Sequence, residues 1–141
     1  MKILSISGPN LNMLGKREEK HYGKMTLKQL NTLLEEQFPE IQFTFFQSNH
    51  EGLIIDKIQE YANYDAIMIN PAAYTHTSIG IRDALEIASI PKVEIHLSDI
   101  TKRESFRKNN YIKDVVDQSF YGEKEESYFK AVRFLLSKLK K

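Results

Sequence analysis

Residues 66–98 read AIMINPAAYTHTSIGIRDALEIASIPKVEIHLS, and they contain the clearest indication of the fold. Its first part, 66–70, is a short apolar run that predicts a buried strand. The apolar residues that then recur at helical spacing are Ile81, Ala84, Leu85 and Ala88. A second strand is predicted over 92–97. A strand, a helix and a strand in this order indicate two parallel strands joined by a right-handed crossover.

The same alternation runs through the rest of the chain. The predicted strands are 2–7, 42–47, 66–70, 92–97 and 112–118. Capping-box patterns at Thr26 and Ser48 predict helix starts, and the crossover 100–111 is long enough for only a turn or two of helix. We therefore expect one α/β domain over residues 1–141, flavodoxin-like, with a five-stranded parallel sheet and helices on both faces.

Composition excludes several classes of function. The formal net charge of +1 argues against a general nucleic-acid binder. No apolar segment approaches the roughly 20 residues of a membrane helix. The chain has no cysteine, which fits a cytoplasmic protein, and its four histidines show no metal-binding spacing. Since glycine-rich nucleotide loops are also missing, we expect neither a metal nor another cofactor.

Polar residues follow four of the predicted strands, where ligands bind in sheets of this kind. The segments concerned are 8–12, 47–52, 70–78 and 96–99. In the strand 92–97, alternation places Glu94, His96 and Ser98 on one face. A buried glutamate is costly unless it is paired or hydrogen-bonded. This strand is therefore either an edge strand with a solvated face or one that lines a site.

Two further features have a structural and a functional interpretation. At about 100° per residue, the predicted third helix places His76 and Asp83 together with Ile79 on its outer face, which is either solvated or a subunit contact. The loop 15–24 has glycines near both ends and is either a mobile surface loop or a lid. Arg17 and Tyr22 lie in it, and a neighbouring arginine favours an ionised tyrosine that can act as a base.

Several motifs, taken together, closely resemble the type II 3-dehydroquinate dehydratases. They are GPNLNMLGKRE, QSNHEG, NPAAYTHTS, IRDAL, VEIHLSDI and RESFR, and the match runs from residue 3 to about residue 112. The resemblance implies a flavodoxin-like subunit that assembles as a dodecamer of trimers. It also implies reversible loss of water from 3-dehydroquinate, which gives 3-dehydroshikimate in the shikimate or quinate pathway.

The resemblance also assigns residues. It implies Tyr22 as the base, Arg17 as the lid arginine, His96 as the general acid with Glu94 as its orienting partner, and Asn10 as the amide that stabilises the enolate. The residues that it implies as substrate contacts are Asn70, His76, Leu97, Ser98 and Arg107. Asp83 matches a residue that reaches the site of a neighbouring subunit.

The chain departs from the family pattern at Glu19, where proline is frequent, at Asp99, where asparagine is usual, and after residue 118, where a glycine-rich segment is expected. These departures concern the lid and the C-terminal packing. A second hypothesis remains beside the enzyme: a flavodoxin-like domain that binds a small polyol carboxylic acid without converting it.

Overall fold

The computed structural model describes residues 1–140 and contains one sheet of five parallel strands in the order β2-β1-β3-β4-β5. The strands are β1 (Lys2–Ser7), β2 (Gln42–Gln47), β3 (Ala66–Asn70), β4 (Lys92–His96) and β5 (Gln118–Tyr121). Order and direction confirm the flavodoxin-like prediction. Lys141, the last residue of the predicted domain, lies outside the described residues.

Helices cover both faces of the sheet. They are α1 (Glu19–Tyr22), α2 (Leu27–Gln37), α3 (Glu51–Ile58), α4 (Ile79–Ile87) and α5 (Glu125–Leu139). Short 3₁₀ turns lie at Leu11–Met13, Tyr61–Asn63, Ala72–His76, Ile100–Lys102, Ser105–Lys108 and Lys113–Val115. Within residues 1–140, no helix has the length and apolar character needed to cross a membrane.

The period of two along the strands divides the core into two layers. In β1, Ile3 packs in the layer that contains residues of α2 and α5, whereas Leu4 and Ile6 pack in the layer that contains residues of α3 and α4. In β3, Met68 belongs to the first layer and Ile67 to the second. Strands buried on both faces read as continuous apolar runs, which explains the composition of 66–69.

The two predicted capping boxes have different outcomes. Thr26 caps α2: its hydroxyl accepts the backbone N–H of Gln29, and the Gln29 side chain accepts the backbone N–H of Thr26. The second helix begins as expected, at Glu51, but its predicted capping box does not form: the Ser48 hydroxyl accepts the N–H of His50 at 3.0 Å, and within residues 1–140 no side chain caps α3. Glu51 instead accepts a hydrogen bond from the hydroxyl of Ser78.

The predicted fifth strand is displaced. Residues 112–117 lie outside the strand, and β5 forms over Gln118–Tyr121 beside β4. The reason is Asn110, whose side-chain oxygen accepts the N–H groups of Ile112 at 2.8 Å and Lys113 at 3.0 Å. These hydrogen bonds close a turn, so the two N–H groups are not available to pair with a neighbouring strand. The apolar residues of this segment pack on the α3–α4 side of the sheet, with Ile112 fully buried.

The position of β4 decides between the two interpretations of its polar row. It lies between β3 and β5, so it is not an edge strand. Glu94, His96 and Ser98 are all buried, with at most 5% of each residue exposed. The row is therefore an interior polar face that begins in the sheet and continues past the carboxyl end of β4.

Close approach of two strand ends shapes the region above the sheet. The backbone N–H of Gly8 donates to the carbonyl of Asn70 at 2.8 Å. A Cβ atom at Gly8 would lie 2.5 Å from the carbonyl oxygen of Pro71, a distance that no side chain tolerates. Glycine at this position thus lets the ends of β1 and β3 meet, and Asn10 follows directly.

Candidate active site

A cavity of about 110 Å³ lies at the carboxyl ends of β1, β3 and β4. The predicted site residues that line it are Asn10, Arg17, Tyr22, Asn70, His76, His96, Leu97, Ser98 and Arg107. Residues from five separate parts of the sequence therefore converge where ligands bind in parallel sheets. The two remaining predicted residues, Glu94 and Asp83, do not line this cavity.

Tyr22 is presented to the cavity by the short helix α1. Its hydroxyl oxygen accepts a hydrogen bond from Arg17 Nη2 at 2.8 Å and another from Arg103 Nη1 at 2.6 Å. The Arg17 guanidinium also stacks on the Tyr22 ring, with 3.7 Å from its central carbon to the ring centroid. Two cations thus converge on one phenol oxygen, and guanidinium groups can only donate.

The backbone on either side of Tyr22 depends on glycine. Gly15 and Gly23 have φ of 95° and 75°, in the region that other residues rarely adopt. Gly23 ends α1 and donates its N–H to Glu19. Burial lowers the pKa of Arg17, and the nearby charges of Arg103 and Arg107 lower it further, against the opposing effect of Tyr22.

Arg103 is a site residue that the sequence reasoning missed. Besides Tyr22, its Nη1 donates to the Ser98 hydroxyl at 3.2 Å, while its Nε is buried and has no hydrogen-bond partner among residues 1–140. The signal was present, since RESFR carries two arginines four residues apart and only the second was assigned. The contact between Arg103 and Tyr22 spans 81 residues of sequence, a separation that local pattern cannot bridge.

His96 and Glu94 form a buried pair on the polar face of β4. Nε2 of His96 lies 2.7 Å from Oε2 of Glu94, and the Glu94 side chain is fully buried. Because an ionised carboxylate can only accept, Nε2 carries the proton in this contact. The other ring nitrogen, Nδ1, is left for the cavity that His96 lines.

Glu94 is held in its ionised form. Burial by itself raises the pKa of Glu94, but hydrogen bonds from His96, Thr75 and Ser119 and the charge of His96 outweigh it, and the pKa falls to about 2. The Thr75 hydroxyl donates to Oε2 and the Ser119 hydroxyl to Oε1 at 2.7 Å. Neither residue was predicted, because both lie far from Glu94 in sequence.

The polar stretch 70–78 supplies both ligand-facing and structural groups. Asn70 donates from its amide to the hydroxyl of Tyr128 at 3.0 Å, and its oxygen accepts the N–H of Ala72 at 3.0 Å. The Ser78 hydroxyl accepts the N–H of Ile81 at 2.9 Å and so caps α4. Asn70 and Ser78 therefore fix the turn and the start of α4, while Asn70 and His76 line the cavity.

His76 and Asp83 are not placed as the helical wheel predicted. His76 belongs to the turn Ala72–His76, before the Ser78 cap, so it is not on α4. It faces the cavity, and its Nδ1 lies 2.6 Å from the Asn109 carbonyl. Burial lowers the pKa of His76. Asp83 is an exposed residue on α4 whose carboxylate lies 4.0 Å from Arg82.

Two other observations concern ligands. Within the described part of the chain, no group of three or more His, Cys, Asp or Glu side chains could hold a metal ion. A larger, open groove of about 690 Å³ runs along α2, beside Met25, Lys28 and Leu33, and contains none of the predicted site residues. We therefore assign the chemistry to the smaller cavity at the strand ends.

The fold and the cavity define a class of protein: a flavodoxin-like enzyme whose site holds a tyrosine between two arginines and a histidine–glutamate pair. Comparisons with known proteins agree with it. The model of the family described as "Dehydroquinase class II" matches residues 1–136. The chain belongs to this family, which confirms the resemblance and the prediction of a hydro-lyase.

Individual relatives are similar over nearly their whole length. The 3-dehydroquinate dehydratase of Geotalea daltonii is 46% identical, with all of both chains covered. The crystal structure of type II dehydroquinase from Butyrivibrio crossotus has a TM-score of 0.93 at 46% identity and covers 96% of this chain and 97% of its own. That from Propionibacterium acnes has a TM-score of 0.92 at 33% identity, covering 96% of each.

Proposed function

We propose that this protein dehydrates 3-dehydroquinate to 3-dehydroshikimate by an anti elimination through an enolate. The observation that carries the proposal is the contact of two guanidinium groups with the Tyr22 hydroxyl, in a cavity that is also lined by a histidine paired with a buried carboxylate. The relatives named 3-dehydroquinate dehydratase support the choice of substrate. The reaction needs a base, a stabilised enolate and an acid.

Tyr22 serves as the base. The guanidinium groups of Arg17 and Arg103 both donate hydrogen bonds to the Tyr22 oxygen. Such charge-assisted hydrogen bonds are stronger to the phenolate than to the neutral phenol, so they favour the base form. The phenolate removes the proton next to the substrate ketone and becomes phenol. Electrons from the broken C–H bond move to the ketone oxygen, and the resulting enolate is stabilised by Asn10 through an ordered water.

His96 serves as the acid. Its imidazolium form donates the Nδ1 proton to the departing hydroxyl, which leaves as water while the enolate collapses to the conjugated enone. Glu94 stabilises the imidazolium from the opposite ring edge at 2.7 Å. The proton gained by Tyr22 and the proton lost by His96 return through solvent, so neither metal nor cofactor is required. That expectation stays a prediction.

Polar groups around the cavity fix the substrate. Arg107 and the backbone at Leu97–Ser98 bind its carboxylate, while Asn70 and His76 bind hydroxyl groups. In this structure Nε of Arg107 donates a hydrogen bond to Oε1 of Glu104 at 3.1 Å, at the protein surface. An anionic substrate offers it a second partner, and correct placement supplies the proximity part of catalysis. Asp83 acts from a neighbouring subunit, in keeping with its exposure on α4.

The lid and the assembly are proposals of the same kind. The whole chain is a single catalytic domain, in which residues 15–24 close over the cavity and bring Arg17 and Tyr22 to the substrate. Exposed apolar side chains on α3 and α4, namely Leu53, Ile79 and Ile87, support burial of this face between subunits. We expect a dodecamer of trimers in the cytoplasm, and light scattering of the dilute protein measures its mass directly.

Absorbance tests the proposed activity. The conjugated enone product absorbs near-ultraviolet light and the substrate does not, so the protein incubated with 3-dehydroquinate should produce a rising signal. A protein that binds 3-dehydroquinate, as shown by calorimetry, but produces no signal would instead be the binding domain of the second hypothesis. A protein that does neither would contradict both.

A further inference from the structure

Glu94 is held by four side chains from different parts of the fold. His96 and Thr75 contact Oε2, Ser119 of β5 contacts Oε1, and Asn110 contacts both oxygens. A carboxylate has about four acceptor positions. Protein donors therefore use all of these positions. They replace water, because Glu94 has no surface exposed to solvent. Asn110 is the only one of the four that bridges the two oxygens.

The orientation of the Asn110 amide is fixed by its own backbone neighbours. Its oxygen accepts the N–H groups of Ile112 and Lys113 at 2.8 and 3.0 Å. Since backbone N–H groups only donate, this side of the amide must be the oxygen. The nitrogen then faces Glu94, 3.1 Å from each carboxylate oxygen. An amide nitrogen cannot accept, so Asn110 acts on Glu94 purely as a donor.

This arrangement determines how Glu94 meets His96. A carboxylate bridged across both oxygens cannot rotate about its terminal bond without losing the bridge. Oε2 therefore stays directed at Nε2 of His96, at 2.7 Å. Because an ionised carboxylate oxygen can only accept, the imidazole keeps its proton on Nε2 in this contact, and its other nitrogen is left for the cavity.

The residue before Asn110 has a parallel effect on the second histidine. The carbonyl of Asn109 lies 2.6 Å from Nδ1 of His76, and a carbonyl only accepts, so Nδ1 of His76 carries a proton. The N–H of Tyr111 in turn donates to the carbonyl of Thr75 at 2.9 Å. Residues 109–111 thus contact the surroundings of both histidines that line the cavity.

We propose that Asn110 is a positioning residue for the reaction: it holds the Glu94 carboxylate in the plane in which Oε2 accepts a hydrogen bond from the Nε2–H of His96, which reserves Nδ1 for the substrate. Ser119 assists it by holding Oε1 from the opposite side. Asn110 itself does not line the cavity, so its effect on the reaction passes through Glu94 and His96. The kinetic part of this inference rests on the proposed function.

The test uses two variants that remove donors to Glu94 in different ways. Asn110→Asp keeps an oxygen for the N–H groups of Ile112 and Lys113 but replaces the bridging donor with an acceptor. Ser119→Ala removes the donor to Oε1 and leaves that turn intact, so it remains informative if the first variant does not fold. Gln118→Glu is the matched control, because it adds the same charge at an exposed position next to Ser119.

Kinetics give the first measurement. We expect kcat of Asn110→Asp to fall about 10-fold or more, as for other residues that orient a catalytic histidine through its partner. KM should stay within about 3-fold, since uniform substrate binding is untouched. Ser119→Ala should show the same split with a smaller fall, and Gln118→Glu should match the wild type. Unchanged kcat in a folded Asn110→Asp, or a fall confined to KM, would overturn the proposal.

The second measurement needs no substrate. In protein labelled with ¹⁵N-histidine, nitrogen resonances of His96, assigned with His96→Gln, report which ring nitrogen carries the proton and how strongly it is donated. The wild type should show a proton on Nε2 donated to a carboxylate. In Asn110→Asp this signature should shift or broaden, and in Gln118→Glu it should not. A wild type without this signature, or an unaltered one in Asn110→Asp, contradicts the inference even if the proposed activity is correct.

Discussion

Acid should destabilise this protein through Glu94. The pKa of Glu94 is about 2 in the folded protein, against an ordinary value of 4.5. A folded pKa below the unfolded one contributes stability that is fully present above the unfolded pKa and is lost as the pH falls towards the folded one. The gap of about 2.5 pH units at roughly 1.4 kcal/mol each corresponds to about 3–4 kcal/mol. This contribution of Glu94 to the free energy of unfolding should be lost as the pH falls from about 4.5 to about 2.

Urea unfolding at a series of pH values measures the effect. Glu94→Gln cannot ionise, so its free energy of unfolding should change less than that of the wild type across this window. Glu40→Gln removes an exposed carboxylate and should follow the wild-type curve. Protein concentration is kept constant, because assembly adds to apparent stability. Parallel curves for the wild type and Glu94→Gln would refute the reasoning about Glu94.

Three further predictions concern the site. Arg103→Met should lower kcat by about 10²-fold, the usual effect of removing one donor from a reacting anion, whereas the exposed Arg133→Met should not; equal rates would remove Arg103 from the mechanism. Activity should survive a strong chelator, and borohydride with substrate should not inactivate the enzyme; loss in either assay would indicate a metal or an imine. Trypsin should cut the free protein at Lys16, Arg17 or Lys20 and act slowly when a substrate-like ligand is bound; a loop resistant without ligand would contradict a lid.

The sequence predicts those features of the fold that local pattern determines. The apolar run 66–70, the helical spacing after it and the strand pattern of 92–97 predict two parallel strands with a crossover helix, and the same strand-helix alternation along the chain predicts the flavodoxin-like sheet that the structure contains. The polar row beginning at Glu94 was recognised for the same reason, because a period of two separates it from Val93 and Ile95. Whether that row is exposed to solvent depends on β5, which lies beside β4. The sequence pattern alone does not predict this position of β5.

Side-chain contacts between distant residues account for what was missed. Hydropathy predicts a strand at 112–118, but the amide of Asn110 closes a turn there and moves β5 to Gln118–Tyr121. The helical wheel fails at His76 because Ser78 starts α4 two residues later. Arg103 acquires its role only when residues 22 and 103 come together in the fold. Each case depends on tertiary geometry that composition and spacing do not contain.

Tyr22→Phe tests the central claim most directly, because it keeps the ring and removes only the hydroxyl that Arg17 and Arg103 contact. With 3-dehydroquinate as substrate and the near-ultraviolet absorbance of the enone as the signal, turnover should fall by at least ~10²–10⁴, the usual effect of a positioned acid–base group. Ligand binding measured by calorimetry shows that the variant site is intact. Turnover close to that of the wild type would contradict the assignment of Tyr22 as the base.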